Sequence, residues 1–303
     1  MLLSAKEQLI ALSLKDFSYK ELFNYLNYLI KTEMSDISIS VNDMLNNLHV
    51  LAKRDLISLN SQLTFNALIN LMPQIDSLRP MTIMLGETLY PELWLSIPQP
   101  PILIFYKGNI NLLQAKRVSV IGTRKVTYYG EKATEQIVKL FVNHQIQVVS
   151  GLANGVDRIA HETAMNLKTQ STIAIIPTGF DEYYPYNNAN LQDEIAYDHL
   201  LLSEYPPLAR VKKHHFIMRN RLVAGLCNAV IVIEAASKSG SLITANYALQ
   251  FNRELYVLPG RIFDEQSQGC NELLALGANM IISPQRLVQD ILTLNENQSK
   301  YPN

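Results

Sequence analysis

The sequence predicts an α/β protein: a doubly wound, mostly parallel sheet preceded by a small all-α domain. Three observations lead there. From Pro101 onward, short β-branched runs alternate with helical stretches, the pattern of parallel strands joined by crossover helices. The run Ala229-Val-Ile-Val-Ile233 has no polar alternation, as a strand buried on both faces requires. The first ~72 residues contain no glycine and carry recurring helix-start signals.

Taken in order, Ser4-x-x-Glu7 precedes an apolar run. Ser18-x-x-Glu21 precedes Leu22, Phe23, Tyr25, Leu26, Leu29 and Ile30 at helical spacing. Ser40 opens a third helix carrying Met44, Leu45, Leu48 and Leu51. This bundle ends near Met72–Pro73 and reads as a packing or interaction module. Pro80, Pro91, Pro98, Pro100 and Pro101 mark a linker-like stretch. Strands are expected at Ile102–Tyr106, Val118–Ile121, Ile146–Val149, Thr172–Ile176, Leu200–Ser203, Val230–Ile233 and Leu255–Leu258. Helices fit at Gly130–Val142, Asp157–Asn166, Asn188–Ala196, Phe216–Leu226 and Ser241–Phe251. The expected division is a helical domain over 1–75, an α/β domain over 76–290 and a flexible tail over 291–303.

Composition narrows the class. Of 303 residues, 48% are apolar and only 17% charged, so the chain can bury enough surface to order itself. No apolar run reaches ~18 residues, so no membrane span is expected. The start MLLSAKEQLI has Lys6 and Glu7 where a signal core would lie, so no export signal is expected. Two cysteines, Cys227 and Cys270, make neither a disulfide framework nor a metal set, which suits the cytoplasm. Lys+Arg 26 against Asp+Glu 27 gives a net charge of −1, which argues against a surface coated with basic residues for nucleic acid.

In such a sheet, ligands bind at the carboxyl ends of strands. Four of these junctions carry glycine with serine or threonine: Gly122-Thr123-Arg124, Ser150-Gly151 through Gly155, Pro177-Thr178-Gly179, and Ser237-Lys238-Ser239-Gly240-Ser241. Glycine lets backbone N–H groups approach an anion, and helix N-termini favour negative charge, so a phosphate-binding lip is expected. Neither G-x-G-x-x-G nor G-x-x-x-x-G-K-[ST] occurs, which weakens a nicotinamide or NTPase reading.

Charge is concentrated in Tyr205–Ile233, which holds Arg210, Lys212, Lys213, Arg219 and Arg221 and no Asp or Glu. Phe216 lies between the lysine and arginine pairs. Cations interleaved with an aromatic suit single-stranded nucleic acid, whose backbone the charges track while a base stacks on the ring. Asn220 would bond a phosphate or base, or cap local backbone. Glu204, Glu234, Asp157 and Asp181 lie near strand ends and are candidate acid/base groups, but they are more simply helix caps or partners for Arg219 and Arg221. His161 and Cys227 read as packed residues. No cofactor or metal is expected.

The ordered series Val120-Ile-Gly-Thr-Arg124, Val149-Ser-Gly-Leu-Ala153, Tyr184-Pro185 with Asn188, Leu202-Ser-Glu204, Phe216-x-x-Arg219-Asn-Arg221, Ser239-Gly-Ser-Leu-Ile-Thr244 and Val257-Leu-Pro-Gly260 resembles the DNA-processing protein A family over about Leu85 to Ser283. The resemblance implies an extended Rossmann-like domain and a cytoplasmic, dimeric, non-enzymatic binder of single-stranded DNA. Such a protein protects DNA taken up in natural transformation and loads RecA recombinase onto it. By resemblance, Arg124, Lys213 and Phe216 fall at the family's pocket positions, with Ser150, Gly151, Thr178, Gly179 and the Ser239-Gly240 turn beside them. Dimers of the family form through the part corresponding to Ser241–Ala278. Pro177 stands where the family commonly has glycine, and Asn154 where lysine is frequent. The alternative is a nucleotide-hydrolysing enzyme resembling the phosphoribohydrolases. Those carry P-G-G-x-G-T-x-x-E, whereas the comparable turn here lacks that glutamate.

Overall fold

The computed structural model describes residues 1–59 and 63–300, and side chains as far as residue 294. The chain divides into two compact units. Met1–Tyr90, Pro101–Phe105 and Glu204–Pro206 form the first; Pro91–Pro100, Tyr106–Ser203 and Pro207–Asn303 form the second.

The first unit is mainly helical. It contains β1 (Leu2–Leu3), α1 (Ala5–Leu14), α2 (Tyr19–Lys31), β2 (Ile39–Ser40), α3 (Val41–Ala52), α4 (Phe65–Ile69), α5 (Met72–Leu78) and β3 (Thr82–Met84). All three expected start signals are used. Ser4 and Ser18 close reciprocal capping boxes with Glu7 and Glu21, and Ser40 accepts the Asp43 N–H at 3.1 Å. Glu7 also accepts from Arg79 at 2.7 Å, which ties the first helix to the end of the bundle. Leu9, Ile10, Leu12, Tyr25, Leu29 and Met44 are completely buried between these helices. The unit reaches past the boundary expected at residue 75, because Thr82–Met84 pairs antiparallel with Leu103–Phe105.

The second unit carries α6 (Glu92–Leu95), the end of β4 (Leu103–Gly108), β5 (Arg117–Ile121), α7 (Tyr128–Asn143), β6 (Gln147–Ser150), α8 (Val156–Leu167) and β7 (Thr172–Ile176). Then follow α9 (Ala189–Asp198), β8 (Leu200–Ser203), α10 (Lys213–Gly225), β9 (Ala229–Val232), α11 (Gly240–Gln250), β10 (Glu254–Val257), α12 (Gln268–Ala275), β11 (Asn279–Met280) and α13 (Pro284–Lys300). Strands run in the order β11-β10-β9-β5-β6-β7-β8, every pairing parallel. β1–β2 and β3–β4 pair antiparallel, and the six pairings from β11 to β8 are parallel, so the fold is the mostly parallel α/β class the alternating pattern predicts.

The sheet is covered on both faces. Val118 and Val120 of β5 pack with Ile137 and Phe141 of α7, Ala160 of α8 and Leu287 of α13. Ser119, between them, points to the opposite face and donates its hydroxyl proton to Val223 O of α10 at 2.6 Å. The chain leaves β5 through β6, β7 and β8 on one side and returns to β9 on the other. The order therefore reverses between β5 and β9, which opens a crevice at their carboxyl ends.

Two sequence expectations are corrected. Residues 91–100, read as linker-like, are packed: Trp94 is fully buried with its indole N–H on Leu222 O at 3.1 Å, and Arg253 bonds Leu93 O at 2.7 Å. The tail expected from residue 291 continues α13 to Lys300, and Ile291 is part of the core. Its apolar residues Leu287, Val288 and Ile291 recur at helical spacing and find a buried face.

Candidate nucleic-acid interface

The crevice at the strand reversal holds a cavity of about 550 Å3. Three strand-end junctions line it, 121–125 after β5, 151–157 after β6 and 236–244 after β9, together with Glu265 and Gln266 ahead of α12. One face of α10 adds Phe216, Arg219, Asn220 and Val223, at positions i, i+3, i+4 and i+7.

Close approach of these loops depends on glycine. Gly155 has φ +79°, and a Cβ there would run into the Thr123 carbonyl and the Arg124 backbone. The loop after β5 thus lies against the start of α8, and Arg124 is held at the mouth, exposed. A second constraint comes from Glu234 after β9. Its buried carboxylate accepts the Thr127 N–H at 2.9 Å and the Thr127 hydroxyl at 2.5 Å. Thr127 is the N-cap of α7, so Glu234 fixes where that helix begins.

The expected site residues divide into two groups. Arg124, Gly151, Phe216, Arg219, Asn220, Ser239 and Gly240 come together around the cavity. Phe216 is half-buried, with the Arg124 guanidinium 5.8 Å from its ring centroid and the Tyr184 ring edge-on at 5.1 Å. Ser239 caps α11, accepting the Ser241 N–H at 3.3 Å, and Gly240 stands open beside it. Lys213 does not line the cavity, but it is exposed and sits one turn before Phe216 on α10.

Ser150, Thr178, Gly179 and Arg221 are turned inward. The Ser150 hydroxyl donates to Val120 O at 2.6 Å, the Thr178 hydroxyl to Glu182 O at 3.1 Å, and the Gly179 N–H to Ala209 O at 2.9 Å. These groups satisfy local backbone in buried loops, so they are not the exposed donors that a phosphate lip needs. Arg221, 2% exposed, donates to Gln99 O at 2.6 Å and fastens the 91–100 segment.

Arg219 lines the cavity yet is only 6% exposed. Its guanidinium donates to Gly151 O, to Ile175 O at 2.8 Å, and to Asn220 Oδ1 at 3.1 Å. Asp157, buried at the start of α8, is its charge partner. Burial lowers the Arg219 pKa to about 10 while Asp157 pulls it up, so it keeps its proton at neutral pH. Burial likewise raises the Asp157 carboxyl, against the opposing attraction of Arg219. This internal pair sets the cavity floor.

Sequence reasoning overlooked two exposed cations that line the cavity, Lys125 and Lys238. Lys238 stands inside the Ser237–Ser241 turn and Lys125 directly follows Gly122-Thr123-Arg124, so nearness to a strand-end glycine was the available signal. Arg124, Lys125 and Lys238 are thus exposed cations lining the cavity, with Lys213 exposed beside it. His161, read as packed, is buried with Nδ1 2.7 Å from the Thr172 hydroxyl oxygen, and both cysteines are buried and free. Among the described residues, no helix is long and apolar enough to cross a membrane.

A doubly wound α/β domain with a cationic, aromatic-walled cavity at its strand reversal is a Rossmann-like protein built around that crevice. The chain belongs to the DNA recombination-mediator protein A family, whose model matches residues 81–292. It is 43% identical over 201 residues to the DNA processing protein DprA of Streptococcus pneumoniae, covering 66% of this chain and 71% of that one. It is 39% identical over 211 residues to DprA of Bacillus subtilis, covering 69% and 71%. The X-ray structure of the Streptococcus pneumoniae protein superposes with a TM-score of 0.78 at 32% identity, over 95% of this chain and 98% of that chain. The DprA structure from Helicobacter pylori, described for its single-stranded DNA binding mode, gives 0.65 at 35% identity over 70% and 96%.

Proposed function

We propose that this protein binds single-stranded DNA in the cavity at the strand reversal. We further propose that it acts in the cytoplasm as a recombination mediator, protecting DNA taken up in natural transformation and loading RecA onto it. The observation that carries the reading is the convergence of Arg124 on the face of Phe216, with Lys125 and Lys238 lining the same cavity. Cations neutralise the backbone while an aromatic ring accepts an unpaired base. The Helicobacter pylori relative, described as a single-stranded DNA binder, supports the same assignment.

A homodimer through Ser241–Ala278 belongs to the proposal. That segment exposes Leu249, Ile262, Phe263 and Leu276, apolar side chains that a second copy would cover. Leu276→Glu should give a monomer by light scattering; a wild type that is itself monomeric would refute the dimer.

Binding here involves no covalent step, and no enzymatic activity is assigned. Glu234, a carboxylate beside the turn compared with the hydrolase motif, is engaged with Thr127. The test is a gel shift of single- and double-stranded DNA with wild type and Lys213→Glu. The proposal expects a clear preference for single strands that the charge reversal weakens. Equal affinity for both forms, unaffected by the reversal, would overturn it, and so would release of free base from a nucleoside monophosphate.

A further inference from the structure

The loop after β7 presents three tyrosines with different environments. The Tyr183 hydroxyl donates to Asp193 Oδ1 at 2.9 Å and serves the loop itself. Tyr186 stands out in solvent. Tyr184 faces the crevice. It lines a smaller cavity of about 80 Å3 that it shares with Arg124, Gly151, Phe216 and Arg219.

Tyr184 meets Phe216 edge-on, with centroids 5.1 Å apart and planes at 69°. The two rings therefore make a corner rather than a stack, and Arg124 stands over the Phe216 face. A tyrosine recruited only for packing buries its ring and bonds its hydroxyl. Tyr184 does neither: it is 38% exposed, and its hydroxyl has no protein partner among the described residues.

We propose that Tyr184 is a base-contact residue, forming with Phe216 an aromatic corner that holds one unpaired base of the bound strand. The base lies against the Phe216 face, Tyr184 forms the side wall and offers its hydroxyl to the base edge, and Arg124 swings from the ring to the flanking phosphate. A base that is paired and stacked within a duplex presents no free face to this corner, so the corner favours single strands. The inference rests on the reading of the cavity as a single-stranded DNA site.

The test compares oligothymidylate with an abasic strand of the same length by fluorescence anisotropy. Tyr184→Ala should weaken oligothymidylate about 5- to 20-fold, the lower part of what one base–aromatic contact supplies. It should change the abasic strand less than about twofold, while Arg124→Ala weakens both, because that residue acts on phosphate. Tyr184→Phe keeps the ring and loses only the hydroxyl, so on oligothymidylate it should fall between wild type and Tyr184→Ala. Equal losses on both strands with Tyr184→Ala, or no loss on either, would overturn the inference and leave the site reading intact. A wild type that binds neither strand would refute the site reading, and the inference with it.

Discussion

Arg219→Ala separates the two kinds of cation in the crevice. The guanidinium is buried near Asp157 and bonded to the carbonyls of Gly151 and Ile175, so its removal leaves two carbonyl oxygens without their charged donor and takes an attracting charge away from the buried Asp157 carboxylate. Leaving two buried carbonyl oxygens without their charged donor costs about 3–5 kcal/mol. At roughly 2–4 °C per kcal/mol for a domain of this size, the melting temperature should fall by about 6–20 °C. Arg124→Ala is the control. Arg124 is exposed and bonded to no carboxylate, so its loss should move stability by no more than about 0.5 kcal/mol while weakening DNA binding. Thermal unfolding and oligonucleotide anisotropy on the two variants read both quantities. If Arg219→Ala melts like wild type yet loses DNA binding, Arg219 is a phosphate ligand and the account of the cavity floor is wrong.

Further outcomes follow from the same contacts. Gly130→Ala places a methyl group against the Glu234 carboxylate. Alanine is the better helix former by about 1 kcal/mol, but displacing Glu234 gives up the α7 cap, so the net loss should be about 1–2 kcal/mol by urea unfolding. His161 is buried, and burial lowers its pKa from 6.5 to about 3; burial lowers His199 as well. A depressed folded-state value means that stability is fully present above the unfolded value of 6.5 and is lost as pH falls toward 3. From His161 alone the loss should reach about 2 kcal/mol near pH 5, and a melting temperature flat from about pH 7 to 5 would contradict it. Arg221→Ala should destabilise by about 1–3 kcal/mol through loss of its bond to Gln99 O, with DNA affinity per folded molecule unchanged.

The fold was largely legible because its signals are local and strong. Capping boxes at Ser4 and Ser18 and the unbroken apolar strand 229–233 each fix an element before tertiary packing acts. β1, β2 and β11 are two residues each and have no periodicity to read. The packed segment 91–100 was missed because its anchor is long-range, between Trp94 and Leu222 O. At the site, residue type located the crevice but not the direction in which each side chain points. Arg219, Asn220 and Arg221 are consecutive on α10, so their side chains fan out by ~100° steps. Arg219 lies under the cavity floor, Asn220 on its wall, and Arg221 against Gln99. The local charge of +5 over Tyr205–Ile233 therefore overstates the cationic surface, since two of those charges are internal.

The central claim is that exposed cations around the Phe216 cavity hold the strand by its phosphates. It is tested most directly by the salt dependence of single-stranded DNA affinity for wild type and Arg124→Ala. Four exposed cations, Arg124, Lys125, Lys213 and Lys238, each displacing ~0.7 of a counterion, predict a slope of log K against log[salt] approaching about −3. Arg124→Ala should make that slope shallower by about 0.7 and weaken all sequences alike. A wild-type affinity that does not change with salt, or a slope that Arg124→Ala leaves untouched, would contradict the account.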